Sequence, residues 1–377
     1  MTPDDFRLQL NNLIQNLRNV SWLVQKQKSS FPDFGWYNAW VEAIADDALM
    51  RWVKKSRNRI VKEADLELLS QAKASLILDW LNEVVVTLDV PPRRTTQEIL
   101  ALLRTRWNGM PGVLTVERQW IDKALPGIEL LRATAHAYGQ CAHLLAAAHV
   151  NSGATSCNVA GRTRECVTGG VPDGGSPDCM LNVPGSRRLH VALATGTELE
   201  ESHVRISAES KPTEDPYGAL DIRGDAIRSL PAVFEYGQKV LRKDGYHHTY
   251  GWIFRGDSVV SVVALMFGDQ NGKYLSFRDL ADEVRLRRGD SVLVVGETWM
   301  ALLDNAHTAG IPARERPDRI EALGATAVSR DGRVLSWTQP FFRDESGEII
   351  FEDHTVKSDS MQTNSLMPVI RMWEQGL

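Results

Sequence analysis

Cysteine is scarce in this chain: four in 377 residues. So few thiols in so long a chain do not build a disulfide framework, which predicts a reducing, cytoplasmic setting. Long apolar runs are missing too. No uninterrupted stretch approaches the roughly 20 residues a membrane span requires, so no membrane partner is expected. The opening MTPDDFRLQL has acidic residues where a secretory leader would be basic, and no apolar segment follows it. Excess positive charge is lacking: 43 Lys and Arg stand against 48 Asp and Glu, a net charge of −5. That excludes a broadly basic nucleic-acid-binding surface, though not a local basic patch. No nucleophile elbow, phosphate-binding loop, dinucleotide fingerprint or HExxH occurs, and no cofactor is expected.

What is present is an ordinary globular composition, 43% hydrophobic and 24% charged, with a high count of eleven tryptophans. The length suits two domains, each with its own core. The apolar rhythm changes around residues 151–186. Before that segment it follows helical spacing, and after it mostly strand spacing. The pattern predicts an α+β protein: residues 1–150 as an irregular helical bundle, 151–186 as a Gly/Ser/Cys-rich linker or long loop, and 187–377 as a mainly antiparallel sheet with a few helices.

In the first part, Thr2-Pro3-Asp4-Asp5 reads as a helix start. Phe6, Leu10, Leu13, Leu17, Val20 and Val24 then form one stripe. An aromatic segment from Phe31 to Trp40 breaks it. A second helix, with an interruption near Asp46-Asp47, runs through Trp52, Val53 and Ile60, and a third is expected through Leu69, Ala72, Leu76, Trp80 and Val84. Thr95-Thr96-Gln97-Glu98 is a capping box. A long helix after Pro126 carries Ile128, Leu131, Ala135, Tyr138, Ala142 and Leu145. The regular stripe of residues 6–24 raises self-association as an expectation.

In the last part, Leu189, Val191 and Leu193 alternate as a strand, with Val204 and Ile206 expected in its partner. A helix follows Ser229. YHHTYGWIF and SVVSVVALMF form a hairpin about Arg255-Gly256-Asp257. After a helix through Phe277, Leu280 and Val284, SVLVVGETWM reads as a central strand covered on both faces. Further turns at Arg330-Asp331-Gly332 and Asp344–Gly347 separate more strands, and a last helix carries Leu366, Val369, Ile370 and Trp373.

Four groups are weighed for chemistry. Arg57-Asn58, within the basic helical stretch that also holds Lys54, Lys55, Arg59 and Lys62, resembles the HEPN superfamily of helical domains. In that superfamily an Arg, a polar residue and a following His make a ribonuclease site at a dimer interface. Here Lys62, Glu63 and Ala64 occupy the positions open to the His, so the resemblance implies RNA contact by Arg57, Asn58 and Lys62 more than cleavage. A solvated basic helix face is the alternative reading. Cys157, Cys166 and Cys179, with His149 or His190, have the ligand types of a zinc site but irregular spacing, so no metal is expected. His136 and His143 lie seven apart at the edge of a helical stripe, and His247-His248 falls one inside and one outside. Glu297, at the end of a buried strand, is the candidate cleft carboxylate. Asp279, Asp282 and Glu283 could add oxygens to it, or one of Arg285, Arg287 and Arg288 could pair with it.

Two functions follow. The first is a bacterial-type, two-domain, non-enzymatic interaction or binding module with a protein partner or a second copy of itself. The alternative is a HEPN-type RNA-binding protein or ribonuclease in a stress or phage-defence role.

Overall fold

A computed structural model describes residues 3–63, 66, 68–107, 109–152, 156–159, 162–165, 188–199, 203–205, 217–301, 313–353, 355–360 and 364–374. The chain divides into two compact units, residues 1–76 with 84–198, and residues 77–83 with 199–377. The α+β class holds, with helices gathered in the N-terminal half and antiparallel sheet in the C-terminal part.

In the first unit, α1 (Pro3–Lys26) lays the Leu10, Ile14 and Leu17 stripe against α3 (Ala48–Lys62) and α5 (Leu130–Asn151). The short α2 (Gly35–Ala43) brings the aromatic segment onto α1, where Phe34, Trp36, Tyr37 and Trp40 pack together and Tyr37 is buried. The break at Asp46-Asp47 has a clear cause. Asp47 caps α3, accepting from the backbone N–H of Leu49 at 2.9 Å and of Met50 at 3.0 Å. Its other oxygen meets His136 Nε2 on α5. The capping box closes as expected on α4 (Thr96–Trp107): Thr95 N–H donates to the Glu98 carboxylate at 2.7 Å, and Glu98 N–H donates to Thr95 Oγ1 at 3.2 Å.

The expected third helix is absent, and this is the main correction to the sequence reading. Residues 68–90 form β1 (Leu68–Ile77) and β2 (Glu83–Val90), which join β3 (Val113–Asp122) in a sheet. The 69/72/76/80/84 spacing imitates a helical stripe. Burial over 69–74 instead follows a period of two, with Ser70, Ala72 and Ala74 buried and Leu69 and Lys73 exposed, before 74–77 are buried throughout. The run Val84-Val85-Val86 adds β-branched residues that favour extended backbone.

A second correction concerns pairing. β6 (Arg188–Ala192) pairs antiparallel with β3, not with the segment around Val204, and β7 (Glu198–Leu199) ends the sheet order β2-β1-β3-β6-β7. Between them β4 (Ser156–Val159) and β5 (Arg162–Glu165) form a small ladder. The rest of 151–186 beyond residue 152 lies outside the described residues. Two buried polar links brace this unit. Trp52 Nε1 donates to Asp122 at 2.8 Å, joining α3 to the end of β3. Arg118 lies over Trp120 and donates to Ser70 Oγ at 3.0 Å and to the carbonyl of Pro92 at 2.6 Å.

The second unit is an antiparallel sheet in the order β14-β13-β12-β11-β9-β10-β8, with β15 beside β13. Its strands are β8 (His203–Arg205), β9 (Thr249–Arg255), β10 (Ser258–Leu265), β11 (Ser291–Met300), β12 (Ile320–Ser329), β13 (Val334–Arg343), β14 (Ile349–Phe351) and β15 (Val356–Ser358). The 203–205 segment therefore pairs with β10. The hairpin turns fall where expected, with Gly256 and Gly332 at φ of 57° and 89°. β11 is central. Its Val292 and Val294 enter one core with α7 (Gln270–Arg287) and α8 (Met367–Glu374), and its Leu293 and Val295 enter another with α6 (Ala226–Asp244). The 77–83 tip belongs to this unit, where Trp80 packs edge-on against Tyr274 and Phe277.

Asp47 gives a test of the helical layer. Burial raises its pKa, but the His136 bond and the two amide bonds outweigh this and hold it below the usual carboxylate value of 3.8. A lowered carboxylate pKa stabilises the fold above the unfolded value, and that stability is lost as pH falls below it. Asp47→Ala is expected to cost about 1 kcal/mol at neutral pH, as cap removal usually does. The cost, read from urea unfolding, is expected to shrink as pH falls towards 3.

Candidate functional site

The strands β11, β12 and β13 run past the end of α6, and the site lies on the sheet surface left uncovered there. Their register sets Trp299 opposite Glu321 and Glu321 opposite Phe341, with Glu297 opposite Leu323. Since side chains alternate, Glu297, Trp299, Glu321, Phe341 and Arg343 share the α6 face. α6 stops at Gly245, which takes the left-handed conformation at φ 77° and returns its N–H to Leu241 O at 3.0 Å.

Arg343 is the hub. Its guanidinium donates to the Gly245 carbonyl at 2.6 Å, at the negative end of α6. It also faces Glu297 at 3.5 Å and Glu321 at 3.3 Å. The second oxygen of Glu297 accepts the backbone N–H of His247. Burial lifts the Glu297 pKa above its ordinary value and the like charge of Glu321 adds to this, against the lowering pull of the His247 N–H and Arg343. His247 itself is buried, its pKa lowered by burial, while His248 beside it is exposed. Beside Glu297, a Cβ on Gly296 would lie 2.9 Å from Thr249 Cα, so β11 approaches β9 there too closely for a side chain.

At the open ends of these strands is a cavity of about 620 Å³ lined by Trp299, Arg316, Arg319, Ile320, Phe342 and Arg343, among others. Trp299, Ile320 and Phe342 are exposed by 39, 40 and 53%. Arg319 stacks over Trp299, its guanidinium carbon 4.9 Å from the ring centre. Arg316 grips Asp318 through two bonds at 2.9 and 2.6 Å. A second cavity of about 440 Å³ is ringed by Asp225, Asp257, Asp290, Asp331, Arg330 and Arg333. Three of those carboxylates have structural duties: Asp225 caps α6 and pairs with Arg333, Asp290 accepts Gly256 N–H at 2.7 Å, and Asp331 holds Arg333. Among the described residues no cluster of three or more His, Cys, Asp or Glu could hold a metal ion.

The other residues singled out from sequence fall elsewhere. Asp279, Asp282 and Glu283 sit on α7, which packs on the opposite face of the sheet from Glu297, so they do not join it. Arg285 pairs with Asp282 at 2.8 Å and Arg287 with Glu283 at 3.0 Å. The partner of Glu297 is instead Arg343, 46 positions away and invisible to local spacing. On α3, the Trp52, Val53 and Ser56 face is buried while Lys54, Lys55, Asn58 and Lys62 face solvent, and Arg57 touches Asn58 Oδ1 at 3.4 Å. His190 is buried against Thr115 Oγ1 at 2.9 Å, and His143 lies half-buried on α5. Cys166 and Cys179 lie outside the described residues, and Cys157 lies in β4.

A family profile described as bacteriophage lambda protein ea47 matches residues 1–377. The chain is similar to protein ea47 of Escherichia phage lambda, at 26% identity over 355 residues, covering 89% of this chain and 83% of the relative. No solved structure matches. This overturns the HEPN resemblance, since the family match takes in the whole chain. The strands β1 to β3 within the first 150 residues also replace part of the bundle that the resemblance assumed. An adjacent Arg-Asn pair on a basic helix is too small a pattern to carry a family. No helix among the described residues is long and apolar enough to cross a membrane.

The raised Glu297 pKa has a consequence for stability. The folded state holds this proton more tightly than the unfolded chain, so ionisation opposes folding as pH rises from the ordinary value of 4.5. Glu297→Gln keeps an acceptor for His247 N–H and removes the charge. Its stability relative to the parent chain is therefore expected to rise between pH 4.5 and 7.5 in urea midpoints. A difference that stays flat over that range contradicts the assignment.

Proposed function

The chain belongs to the bacteriophage lambda protein ea47 family, and we propose that it acts as a non-enzymatic binding module that takes a protein partner at the end of β11, β12 and β13. The observation that carries this reading is the composition of the cleft. Trp299 from the α6 face, and Ile320 and Phe342 from the other side of the strand ends, leave apolar surface exposed around a cavity, rimmed by Arg319, Arg343 and Glu321. Tryptophan and arginine are the residues most enriched where protein interfaces concentrate their binding energy, and an apolar patch with a polar rim marks such sites.

The charges of the cleft support a protein over a polyanion. Arg343 is shared by two carboxylates and Arg316 is held by Asp318, so little positive charge is left over for phosphates. The carboxylates support binding over catalysis. One oxygen of Glu297 takes a backbone N–H and the other faces a guanidinium, so the group holds the α6 terminus in place. The partner is an apolar anchor residue in an extended segment, entering between the strand ends with its backbone facing Arg319 and Glu321. The setting we propose is the cytoplasm.

The test is selection of binding peptides from a displayed random library against the full chain. Peptides with a bulky apolar anchor are expected, and Trp299→Ala or Phe342→Ala is expected to weaken them tenfold or more, about 1.4 kcal/mol. Selected peptides indifferent to both substitutions overturn the reading.

A further inference from the structure

β2 is an edge strand left without the devices that normally keep such edges apart. Among the described residues it stands at the end of the order β2-β1-β3-β6-β7, with no strand paired on its other side. Edge strands are usually blunted by a lysine, a proline, a bulge or a covering element, because open N–H and C=O groups recruit another strand. The segment Glu83–Val90 reads EVVVTLDV and contains neither lysine nor proline. Val84, Val85, Val86 and Leu88 are exposed by 54, 48, 38 and 36%. Four large apolar side chains in five positions on an open edge is a costly arrangement unless something covers it.

The strand is also anchored by side chains. Gln71 Nε2 on β1 donates to Asp89 at 2.9 Å, and Arg118 fixes the carbonyl of Pro92 just beyond its end. The Gln71–Asp89 bond sets the faces: Val85, Thr87 and Asp89 lie with Gln71, so Val84, Val86, Leu88 and Val90 lie on the face of Ala72 and Ala74. Extended and already paired with β1 on one side, this edge presents backbone groups that another strand can pair with.

We propose that the occupant is a second copy of β2, paired antiparallel about a twofold axis through Thr87. The sequence of the strand favours its own copy in one register. With Thr87 opposite Thr87, Val86 faces Leu88 and Val84 faces Val90, all four on the face shared with Ala72 and Ala74. Val85 faces Asp89 on the other face. Centring the pair one residue earlier, on Val86, sets Glu83 against Asp89, a like-charge pair that disfavours that register. Centring it on Leu88 sets Val84 and Val85 against Pro92 and Pro91, beyond the end of β2, and so leaves two of its valines without a strand partner. Twofold interfaces are self-complementary by construction, and cross-strand apolar pairs are what stabilise such a ladder. The two five-stranded sheets become one continuous sheet of ten.

The surface lies in the first unit and does not rest on the cleft of the second. Light scattering on the full chain at about 50 µM is expected to give a mass twice 42.1 kDa. Val86→Lys, an exposed change that leaves the circular dichroism spectrum intact, is expected to raise the dimer dissociation constant at least tenfold. Trp299→Ala is expected to leave it unchanged. Thr87→Cys is expected to form an interchain disulfide under mild oxidation, absent from the parent chain, whereas Val85→Cys, four residues from its own copy in this register, is not. A monomer at that concentration overturns the proposal, as does a dimer that Val86→Lys leaves intact and Thr87→Cys does not cross-link.

Discussion

The alternation of β11 is the constraint on which the second unit depends. Val292 and Val294 are committed to the α7–α8 core, and Leu293 and Val295 to the α6 core. A strand packed on both faces has no neutral register: a slip of one residue sends every side chain to the wrong side. Because the pattern is rigid over 291–295, it also decides 297 and 299, which lie beyond the end of α6. Glu297 and Trp299 are thus delivered to the uncovered surface by the same parity that buries Leu293. The site is a continuation of the core packing, not an addition to it.

Arg343 then resolves the electrostatics this delivery creates. A half-buried carboxylate, a second one across the strand and the carbonyl end of a helix all converge on one place, and each is unfavourable alone. A single guanidinium with donors in a planar fork can face all three, which a lysine ammonium could do less well. This is why Glu297 was legible in the sequence and its partner was not. The end of an apolar strand is a local pattern, but the identity of the arginine depends on β13 lying beside β12 in register. The nearer candidates, Arg285 to Arg288, fail because α7 packs on the other face.

The same distinction explains the fold. Patterns that close within a few residues were readable: the Thr95–Glu98 capping box, the Asp46-Asp47 break, the turns at Gly256 and Gly332, the two-faced β11. The strands β1 and β2 were not, because Leu69, Ala72, Leu76, Trp80 and Val84 satisfy a helical period by coincidence. What overrode it was tertiary: β3 supplies a partner, and Arg118 reaches from it to Ser70 and to the turn after β2. The basic residues of α3 are the opposite case. Their local pattern resembles a family motif that the whole-chain match overturns, and Trp52 and Val53 on the inner face account for the helix.

The disposition of polar groups bears on what kind of protein this is. Asp47, Asp225 and Asp269 cap helices, Asp122 holds a tryptophan indole, Asp290 and Asp344 close turns, and Glu283 and Glu297 pair with arginines. So engaged, these carboxylates serve the fold as caps, turn closures and ion pairs. Among the large apolar side chains left exposed are the valines of β2 and the aromatic rim of the cleft. Apolar area and open strand edges gain free energy only when another chain covers them. The two proposed contact surfaces, the edge of β2 and the strand ends of the second unit, both lie outside the buried cores.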